Sequence, residues 1–315
     1  MRMGENQRLD LQVQIATLYY KQNMSQQEIA DMLNLSRPTI SRILKDCIDD
    51  GIVTIHIKNV SSRQYEMAKT VKKKYDLKNV VVVSTCDDKE QLLSSLGKAA
   101  AEYLESIIDC DMRIGVSAGT ALAHIIPYLH AIYSYEIDVY QLMGDANHQI
   151  DTSSSFLTTE IAKAWHATPH AMHVPLLVNT KVLRDLLIEE PYNKRHFEQL
   201  SNLDLAVVGI GNVNSLMPST SDYWLTMAQD KEILKANDIV GDLSGNFIDK
   251  DGVFRSMDVA DRTIAVDPKL LKTCKNCVGV ACGKEKTLVA KAVLNKNWIS
   301  SLVIDESLAS SLLVD

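Results

Sequence analysis

Short apolar runs alternate with helix-like stretches from Asn79 to the end of the chain, and this alternation restricts the fold more than any other feature. The runs are continuous and rich in Val and Ile, and they lie at residues 80–84, 112–117, 137–143, 203–210, 277–282 and 302–305. The helix-like stretches lie near residues 88–108, 120–130, 156–167, 180–200, 284–295 and 306–313. Continuous apolar strands followed by helices are typical of a parallel sheet that is covered on both faces. We therefore predict a doubly wound α/β domain, which would bind a ligand at the carboxyl ends of its strands.

Two short helices joined by a tight turn are predicted within the first sixty residues. Ser25 is followed three positions later by Glu28, which is the spacing of a capping box, so a helix is expected to begin at Ser25. It stops at residues 34–35, and Ser36 caps a second helix that carries Pro38 in its first turn, where a missing N–H is harmless. Two short helices joined in this way form the helix-turn-helix pattern.

The second helix leaves polar and basic side chains off its apolar face, where they could read base edges or hold phosphates in a major groove. The residues that we predict to contact DNA are Gln26, Ser36, Arg37, Thr39, Ser41, Arg42 and Lys45. Residues 52–57 are rich in β-formers and would suit a wing. The alternative is a small helical subdomain with a solvated polar face. Because the caps, the turn and the basic second helix occur together in this order, the sequence favours DNA binding.

The charge is distributed unevenly along the chain. The formal net charge is −7 over 315 residues, but residues 1–60 are neutral, residues 61–80 carry +4 and the remainder carries −11. An acidic total excludes a protein that coats nucleic acid by electrostatics alone, whereas specific binding needs only a few well-placed cations. Residues 61–80 are predicted to form a basic linker helix, which is either a solvated connection or an additional contact to DNA phosphates.

Membrane, targeting and metal signals are weak. No apolar run approaches the roughly 20 residues that span a bilayer, and the polar first ten residues do not resemble a signal peptide, so we expect a cytoplasmic protein without a membrane partner. The six cysteines are expected to be reduced thiols, since Cys274, Cys277 and Cys282 lack a fourth ligand at zinc spacing. His166 and His170 are separated by Pro169, which argues against a shared helical face. No metal and no cofactor is predicted.

The first candidate ligand site follows the second apolar run, where a strand is expected to turn into a helix. Gly115 and Gly119 would let a ligand approach the backbone, while Ser117 and Thr120 would supply hydroxyl groups. A helix N-terminus at this point would add free N–H groups and a partial positive charge, which suit a phosphate or a sugar. The alternative is a tight turn without a ligand.

A second glycine turn follows the fifth apolar run. Gly283 and Lys286 imitate a phosphate-binding loop, but the glycine spacing is one residue short, and Glu285 stands where Ser or Thr must hold magnesium. A nucleoside triphosphate is therefore disfavoured. Gly209 and Gly211 lack the third glycine of a dinucleotide-binding turn, although they could still let a ligand approach a strand end.

Three further polar residues are weaker candidates. Asp242 could accept hydrogen bonds from sugar hydroxyls, or it could be a turn aspartate. Arg262 could meet a phosphate, or it could form an ion pair with Asp261. His148 follows a strand end and could contact a polar ligand, or it could be an exposed loop histidine.

Taken together and in this order, these features make the chain similar to one family: it resembles the SorC family of bacterial transcriptional regulators over nearly its whole length. The segments that carry the resemblance lie at residues 18–20, 25–30, 35–42, 115–120, 141–144, 208–211, 240–242 and 283–286. The resemblance implies an N-terminal (winged) helix-turn-helix and a phospho-sugar-binding domain with the fold of ribose-5-phosphate isomerase and glucosamine-6-phosphate deaminase. It also implies a dimer or tetramer whose affinity for its operator changes when a phosphorylated sugar binds. By position, the effector-binding residues would be Gly115, Ser117, Gly119, Thr120, Gly144, Asp145, Gly209, Gly211, Asp242, Arg262 and Lys286.

The end of the third apolar run departs from the pattern of this family. A polar residue and two glycines usually follow Gln141 and Leu142, but here the chain continues as Met143, Gly144 and Asp145. In the branch of the family that senses deoxyribose-5-phosphate, a Schiff-base lysine stands at the position of Met143, and a thioether cannot form an imine. Asp145 adds a carboxylate that either selects a hydroxyl-rich, less anionic effector or reshapes the loop.

The sequence thus predicts three parts, namely a DNA-binding domain at residues 1–58, a linker helix at 59–78, and an effector-binding and oligomerisation domain at 79–315. The predicted function is a non-enzymatic transcriptional regulator of a carbohydrate-related operon. Its partners would be palindromic double-stranded operator DNA, a small phosphorylated sugar or polyol, and further copies of the same chain. Two alternatives are a sugar-phosphate isomerase or deaminase that carries a DNA-binding domain, and an architectural DNA-binding protein without an effector.

Overall fold

The computed structural model describes residues 5–53, 61–132, 136–146, 150–212 and 228–314. The chain divides into two compact units, Met1–Val60 and Ser61–Asp315, which are described in turn. Most of the predicted wing, from residue 54 onward, and His148 lie outside the described residues.

Three helices are described in the N-terminal unit. They are α1 (Glu5–Ala16), α2 (Gln26–Leu33) and α3 (Arg37–Asp49), and α1 continues as a π-helical turn at Thr17–Lys21. The capping box predicted at the start of α2 is confirmed, because the Ser25 hydroxyl accepts from the Glu28 N–H at 3.2 Å and the Glu28 carboxylate accepts from the Ser25 N–H at 2.8 Å. Both bonds satisfy donors that the first turn of a helix leaves without intrahelical partners.

The turn between α2 and α3 is closed by Asn34. Its backbone is left-handed, with φ 53° and ψ 43°, which asparagine tolerates better than most residues. Ser36 then caps α3 by accepting from the Thr39 N–H at 3.2 Å, and Pro38 lies in the first turn, as predicted. The three helices share a buried apolar core made of Ile15, Leu18, Ile29, Ala30, Ile40 and Leu44.

Nine strands are described in the C-terminal unit. They are β1 (Asn79–Val83), β2 (Arg113–Val116), β3 (Asp138–Gln141), β4 (Thr168–His170), β5 (Leu205–Asn212), β6 (Ile239–Leu243), β7 (Asn246–Asp249), β8 (Asn276–Val280) and β9 (Ser301–Asp305). Seven of them are parallel, in the order β1-β9-β8-β5-β2-β3-β4, which confirms the predicted parallel sheet. β6 and β7 form an antiparallel hairpin that pairs with the end of β5.

Helices cover both faces of this sheet. They are α4 (Ser62–Lys74), α5 (Lys89–Glu105), α6 (Thr120–Ala123), α7 (Ser154–Trp165), α8 (Lys181–Glu189), α9 (Pro191–Gln199), α10 (Ala228–Ala236), α11 (Asp258–Asp261), α12 (Pro268–Thr273), α13 (Thr287–Asn295) and α14 (Glu306–Leu313), with short 3-10 turns at Ile126–Tyr128, Ile150–Thr152, Leu200–Asn202 and Lys284–Lys286. Successive strand residues point to opposite faces. Val207 therefore packs into the core beneath α5 and α7, and Val208 into the core beneath α4, α13 and α14. The predicted doubly wound α/β fold is confirmed.

Prolines shorten two of the predicted helices. The stretch at 120–130 forms only the four-residue α6 and a 3-10 turn, because Pro127 cannot donate an N–H and clashes with a helical carbonyl. The stretch at 180–200 divides into α8 and α9, with Pro191 at the first position of α9. β4 lacks the long apolar run that predicts a strand, since it has three residues and one of them is Pro169.

The helix predicted as a linker, α4, packs inside the C-terminal unit. Val71 is fully buried in the core against α14, and the Tyr75 hydroxyl donates to the Leu312 carbonyl at 2.9 Å. Lys72 and Lys73 are exposed on the other side of the helix. The division of the chain at residues 58 and 78 stays a prediction.

The direction of the chain across the sheet reverses between β2 and β5. β2, β3 and β4 extend toward one edge, whereas β5, β8 and β9 extend toward the other, so β2 and β5 are neighbours. In open parallel sheets, the crevice outside the carboxyl ends of the strands at such a switch point is the usual ligand site. The ends of β2, β3, β5 and β8, which carry most of the predicted effector residues, border this crevice.

Candidate functional site

An exposed polar face on α3 carries four of the residues that we predict to contact DNA. Arg37, Ser41 and Lys45 recur every four residues and are exposed, and Arg42 is exposed beside them. Within the described residues, none of these three cations forms an ion pair, so their charge is available to phosphates or to guanine edges. The opposite side of α3 is buried in the helical core. The helix thus presents a basic surface to solvent, while its apolar side is held by the core of the helical unit.

Gln26, Ser36 and Thr39 lie at the N-terminal ends of α2 and α3. The Ser36 and Thr39 hydroxyl oxygens are 2.7 Å apart, and Ser36 also caps α3, so both side chains have roles within the protein. Gln26 is half-buried at the first position of α2. Their contacts with DNA stay predictions.

Two glycine turns with similar backbone geometry follow β2 and β8. Gly119 precedes α6 with φ 137° and ψ 154°, and Gly283 precedes the 3-10 turn Lys284–Lys286 with φ 94° and ψ 135°. Residues with a side chain rarely adopt such angles, so both positions require glycine. Nothing lies within 4 Å of the position that a Cβ of Gly119 would occupy, and Thr120 is exposed. The turn after β2 therefore faces open space, as a ligand site requires.

The donors at this turn are main-chain N–H groups and one hydroxyl. Because α6 has only four residues, the partial positive charge that the sequence predicted for a longer helix is small. The Leu122 and Ala123 N–H groups donate to the Gly119 carbonyl at 3.0 and 3.1 Å, so the Thr120 and Ala121 N–H groups at the start of α6 remain as donors, and Thr120 adds its hydroxyl group. These groups suit the oxygens of an anion.

The end of β5 brings the two glycine turns together. A Cβ at Gly209 would lie 3.0 Å from the carbonyl oxygen of Ala118, so the end of β5 packs closely against the turn after β2. From the β8 side, the Lys286 Nζ donates to the Ile210 carbonyl at 2.6 Å. The turn after β2, the end of β5 and the Lys286 ammonium group therefore lie together at one edge of the sheet.

Lys286 and Asp242 provide opposite charges at this edge. Burial lowers the pKa of Lys286, while the neighbouring carboxylates of Asp242 and Glu285 act in the opposite direction. Burial raises the pKa of Asp242 to about 6, against the hydrogen bond that its carboxylate accepts from the Gly245 N–H at 2.9 Å and against the charge of Lys286. At neutral pH, an ammonium group for an anion and a carboxylate for hydroxyl donors are thus available close to each other.

Asp305 supports the second turn, and the sequence did not single it out. Its carboxylate accepts from the Gly283 N–H at 2.9 Å and from the Thr85 hydroxyl at 2.7 Å. Burial acts against ionisation, but the hydrogen bonds from Ser307, Gly283 and Thr85 outweigh it and lower the pKa of Asp305. An aspartate that ends an apolar run and caps the next helix is the signal that could have identified it.

Three of the predicted glycines make room for protein atoms. The groups that a Cβ would meet belong to Leu142 at Gly115, to Pro175 at Gly144 and to the Asp242 carboxylate at Gly211. The prediction that Gly115 lets a ligand approach the backbone is therefore wrong, because the side chains of Leu142, just after β3, and Leu203, just before β5, fill that space. Gly119 is the predicted effector glycine around which the structure leaves open space.

Ser117 and Arg262 are turned toward the interior. The Ser117 hydroxyl is buried and donates to the Met143 Sδ at 3.4 Å. Arg262 is 3% exposed, and its Nε donates to the Asp258 carboxylate at 2.9 Å. The alternative of an ion pair between Arg262 and Asp261 is therefore wrong. Arg262 instead pairs with Asp258, which lies one helical turn earlier in the chain. A direct role of either side chain in effector binding stays a prediction.

Asp145 ends the β3 segment and reaches the start of α7. Its Oδ1 accepts from the Ser155 N–H at 3.0 Å and from the Gln141 Nε2 at 3.4 Å. Gln141 is fully buried and also donates to the Met143 carbonyl at 2.7 Å. The strand end that departs from the family pattern is therefore held by side-chain hydrogen bonds, a role of Gln141 that the sequence did not predict.

The described part of the chain contains no group of three or more His, Cys, Asp or Glu side chains that could hold a metal. In the same residues, no helix has the length and apolar character needed to cross a membrane. All six cysteines are free thiols. Burial raises the pKa of Cys274 to about 11 and that of Cys277 well above its ordinary value, so these two thiols resist ionisation.

Known families match both units of the chain. Residues 61–314 match the family described as "Putative sugar-binding domain", and residues 8–65 match the Crp-like helix-turn-helix domain. The first match covers the α/β unit up to residue 314, and the second covers α2, α3 and α1 from residue 8 onward.

Relatives of similar length align with the chain over both of its units. A deoxyribonucleoside regulator from Bacillus subtilis (strain 168) is 27% identical over 315 residues, which cover 99% of each chain. A sorbitol operon regulator from Klebsiella pneumoniae is 27% identical over 99% of this chain and 100% of its own. The crystal structure of the full-length sorbitol operon regulator SorC from Klebsiella pneumoniae matches with a TM-score of 0.76 at 26% identity, covering 99% of this chain and 100% of that chain. The chain belongs to the SorC family.

Membership of the SorC family confirms the resemblance stated from the sequence. This SorC-family chain is a DNA-binding transcriptional regulator, with a helix-turn-helix that binds DNA and a sugar-binding domain that takes a small-molecule effector. The relatives are named as regulators rather than as enzymes.

Proposed function

We propose that this SorC-family regulator controls a carbohydrate or polyol operon in the cytoplasm without catalysing a reaction, and that a phosphorylated sugar or polyol sets its affinity for operator DNA. The named relatives support the class of operon, since one is a deoxyribonucleoside regulator and another a sorbitol operon regulator. The open turn at Gly119, beside Lys286 at the switch point of the sheet, is the observation that carries the choice of a phosphorylated effector.

The phosphate of the effector would bind between the turn after β2 and Lys286. The Thr120 and Ala121 N–H groups, the Thr120 hydroxyl and the Lys286 ammonium group would be the donors for its oxygens. Such local donors are needed because residues 81–315 carry a net charge of −11, which repels an anion at long range. Asp242, ionised above its pKa of about 6, would accept hydrogen bonds from sugar hydroxyls.

The effector response tests this assignment. Thermal unfolding of the full chain is measured with a panel of sugar and polyol phosphates, and operator binding is measured by fluorescence anisotropy with the compounds that stabilise. In the unmodified protein, a bound effector raises the melting temperature because it binds only the folded state. We expect Thr120→Val and Lys286→Met to lose this stabilisation but to keep their affinity for the operator. Lys296→Met, at an exposed lysine just after α13, is the matched control. If both site variants kept the full response to the effector, the proposed location of the binding pocket would be refuted.

Two copies of α3 would read a palindromic operator. Helix-turn-helix dimers contact half-sites about 34 Å apart, so an effector that favours one arrangement of subunits changes how two recognition helices fit the DNA. An apolar face on α8 supports self-association, since Val182, Leu183 and Leu186 are 69%, 43% and 65% exposed in the single chain. Light scattering after size exclusion would distinguish a monomer, which contradicts this arrangement, from a dimer or tetramer.

A sugar-phosphate isomerase or deaminase activity is the second candidate. Asp242 favours it, because a buried carboxyl group with a pKa of about 6 in a ligand crevice is suited to acid–base catalysis. If the protein were such an enzyme, incubation with pentose, hexose or amino-sugar phosphates would form product, and Asp242→Asn would abolish this product formation. We expect binding without turnover.

A further inference from the structure

The chain places a carboxylate on the β3 side of the effector crevice. Asp145 follows the end of β3, which is the neighbour of β2 at the switch point. Its Oδ1 accepts the two hydrogen bonds from Ser155 and Gln141, and the side chain is half-buried. No described residue forms an ion pair with Asp145. Among the described residues, the negative charge of Asp145 therefore has no compensating cation.

The backbone around Asp145 is fixed from both sides. The Asp145 N–H donates to the Val174 carbonyl at 3.0 Å, and its own carbonyl accepts from the Leu176 N–H at 2.8 Å. A Cβ at Gly144 would lie 2.5 Å from the Pro175 carbonyl oxygen, so the residue before Asp145 must be glycine. These contacts leave the carboxylate little freedom to withdraw from the crevice.

The side chain of Gln141 fixes the same segment from within the sheet. Its amide nitrogen donates to the Met143 carbonyl at 2.7 Å and to Asp145, and its amide oxygen accepts from the Met172 N–H at 2.6 Å. Gln141 is fully buried, so these bonds are protected from water. Gln141 is thus a positioning residue for the Asp145 carboxylate.

The N–H groups at the second and third positions of α7, which in other helices often bind an anion, are already bonded within the protein. The Ser155 N–H is bonded to Asp145, and the Phe156 N–H donates to the Ser153 hydroxyl at 3.3 Å. A phosphate that approached this helix would meet a carboxylate in the place where N–H groups would otherwise bind it. A hydroxyl group, in contrast, can donate to the second oxygen of Asp145.

The opposite side of the crevice carries the positive charge. The Lys286 ammonium group donates a hydrogen bond to the Ile210 carbonyl, at the end of β5. β3 and β5 are separated by β2, so two strand spacings, or about 10 Å, lie between the anionic and cationic sides. An extended five- or six-carbon sugar phosphate has a comparable length.

We infer that Asp145 is a specificity-determining residue that admits an effector with one phosphate, directed toward Lys286, and a neutral hydroxyl end, and that it rejects a second phosphate at the β3 side. This inference rests on the proposed function, since it divides the phosphorylated effectors of that site into two classes. The physical reason is that two like charges brought together in a partly buried site repel each other more strongly than in water.

Matched pairs of ligands test the inference. The full-length protein is titrated by calorimetry with fructose 6-phosphate and fructose 1,6-bisphosphate, glucose 1-phosphate and glucose 1,6-bisphosphate, and ribulose 5-phosphate and ribulose 1,5-bisphosphate. We expect the unmodified protein to bind the monophosphate of a recognised pair about tenfold more tightly or better. Asp145→Asn keeps the size and an acceptor for the Ser155 N–H but removes the charge, so its preference should fall to within about threefold. Glu160→Gln removes a carboxylate elsewhere on α7 and should retain the preference.

The possible outcomes separate this inference from the proposed function. Equal or tighter binding of a bisphosphate by the unmodified protein, or an unchanged preference in Asp145→Asn, overturns the role of Asp145 while leaving a phosphorylated effector in place. Bisphosphate binding that appears only in Asp145→Asn supports it. If neither protein binds any compound of the panel, the proposed function fails and the inference fails with it.

Discussion

Replacing Asp242 with asparagine should stabilise the folded protein at neutral pH, although the change removes a charged group of the candidate effector site. Burial of the carboxyl group raises its pKa from 3.8 to about 6, so the ionised form is less favourable in the folded state than in the unfolded chain. Asparagine has nearly the same shape, and its side-chain oxygen can still accept from the Gly245 N–H. It carries no charge that burial would penalise.

The difference between the two pKa values of Asp242 determines the magnitude. Each pH unit between them changes the free energy of unfolding by about 1.4 kcal/mol, so the interval from 3.8 to about 6 corresponds to about 3 kcal/mol. Between these values the folded state retains the proton that the unfolded state has lost, so this contribution to stability is present at low pH and is lost as the pH rises through about 6. The stability of Asp242→Asn relative to the unmodified protein should therefore increase by about 3 kcal/mol from about pH 3 to about pH 8.

Urea unfolding followed by circular dichroism across this pH range measures the difference. Asp249→Asn, in the same hairpin, is a control of opposite sign. Burial acts against ionisation of Asp249, but hydrogen bonds from the Val253 N–H and Arg255 outweigh it and lower its pKa. The relative stability of Asp249→Asn should therefore fall as the pH rises through the acidic range. A difference for Asp242→Asn that stays constant with pH, or falls, would refute the reasoning.

Three further outcomes are expected. Arg37→Ala and Arg42→Ala should each weaken operator binding in fluorescence anisotropy by about 1–3 kcal/mol with an unchanged melting temperature, and normal affinity in both would remove α3 as the recognition helix. Gly119→Ala should lower stability by about 1–3 kcal/mol through backbone strain alone, because the new methyl group has no neighbour within 4 Å; an unchanged melting temperature would contradict the strained geometry. Ser25→Ala should cost about 1 kcal/mol by removing the capping box, which faster hydrogen exchange in the first turn of α2 would show.

Local signals in the sequence predicted the N-terminal unit closely. The capping box of Ser25 and Glu28 and the cap at Ser36 involve residues three positions apart, so their hydrogen bonds depend on the immediate chain and little else. Where proline interrupts a helix, as at Pro127 and Pro191, the missing N–H group and the steric clash are also local. These two prolines by themselves therefore predict the shorter helices.

The candidate site could be predicted only in part. The pattern of glycines marked every strand end that borders the crevice, yet the pattern does not show what lies beside each glycine. Gly115 and Gly119 are four residues apart, but the side chains of Leu142 and Leu203 fill the space at the first, and nothing lies within 4 Å at the second. The supporting roles of Gln141 and Asp305 depend on partners that are up to 220 residues distant in the chain, and no local pattern shows such pairs.

The sequence by itself determined the kinds of structure and their order: two capped helices with a basic face, then apolar strands that had to be buried on both sides. These follow from hydrogen bonds and periodicities within a few residues. Only the tertiary structure decided that β5 returns to lie beside β2, and this placement gathers the turn at Gly119, the Lys286 ammonium group and the Asp145 carboxylate around one crevice. The physical reason is that strand order is set by the packing of the whole core, to which every strand contributes, and not by the residues of any one strand.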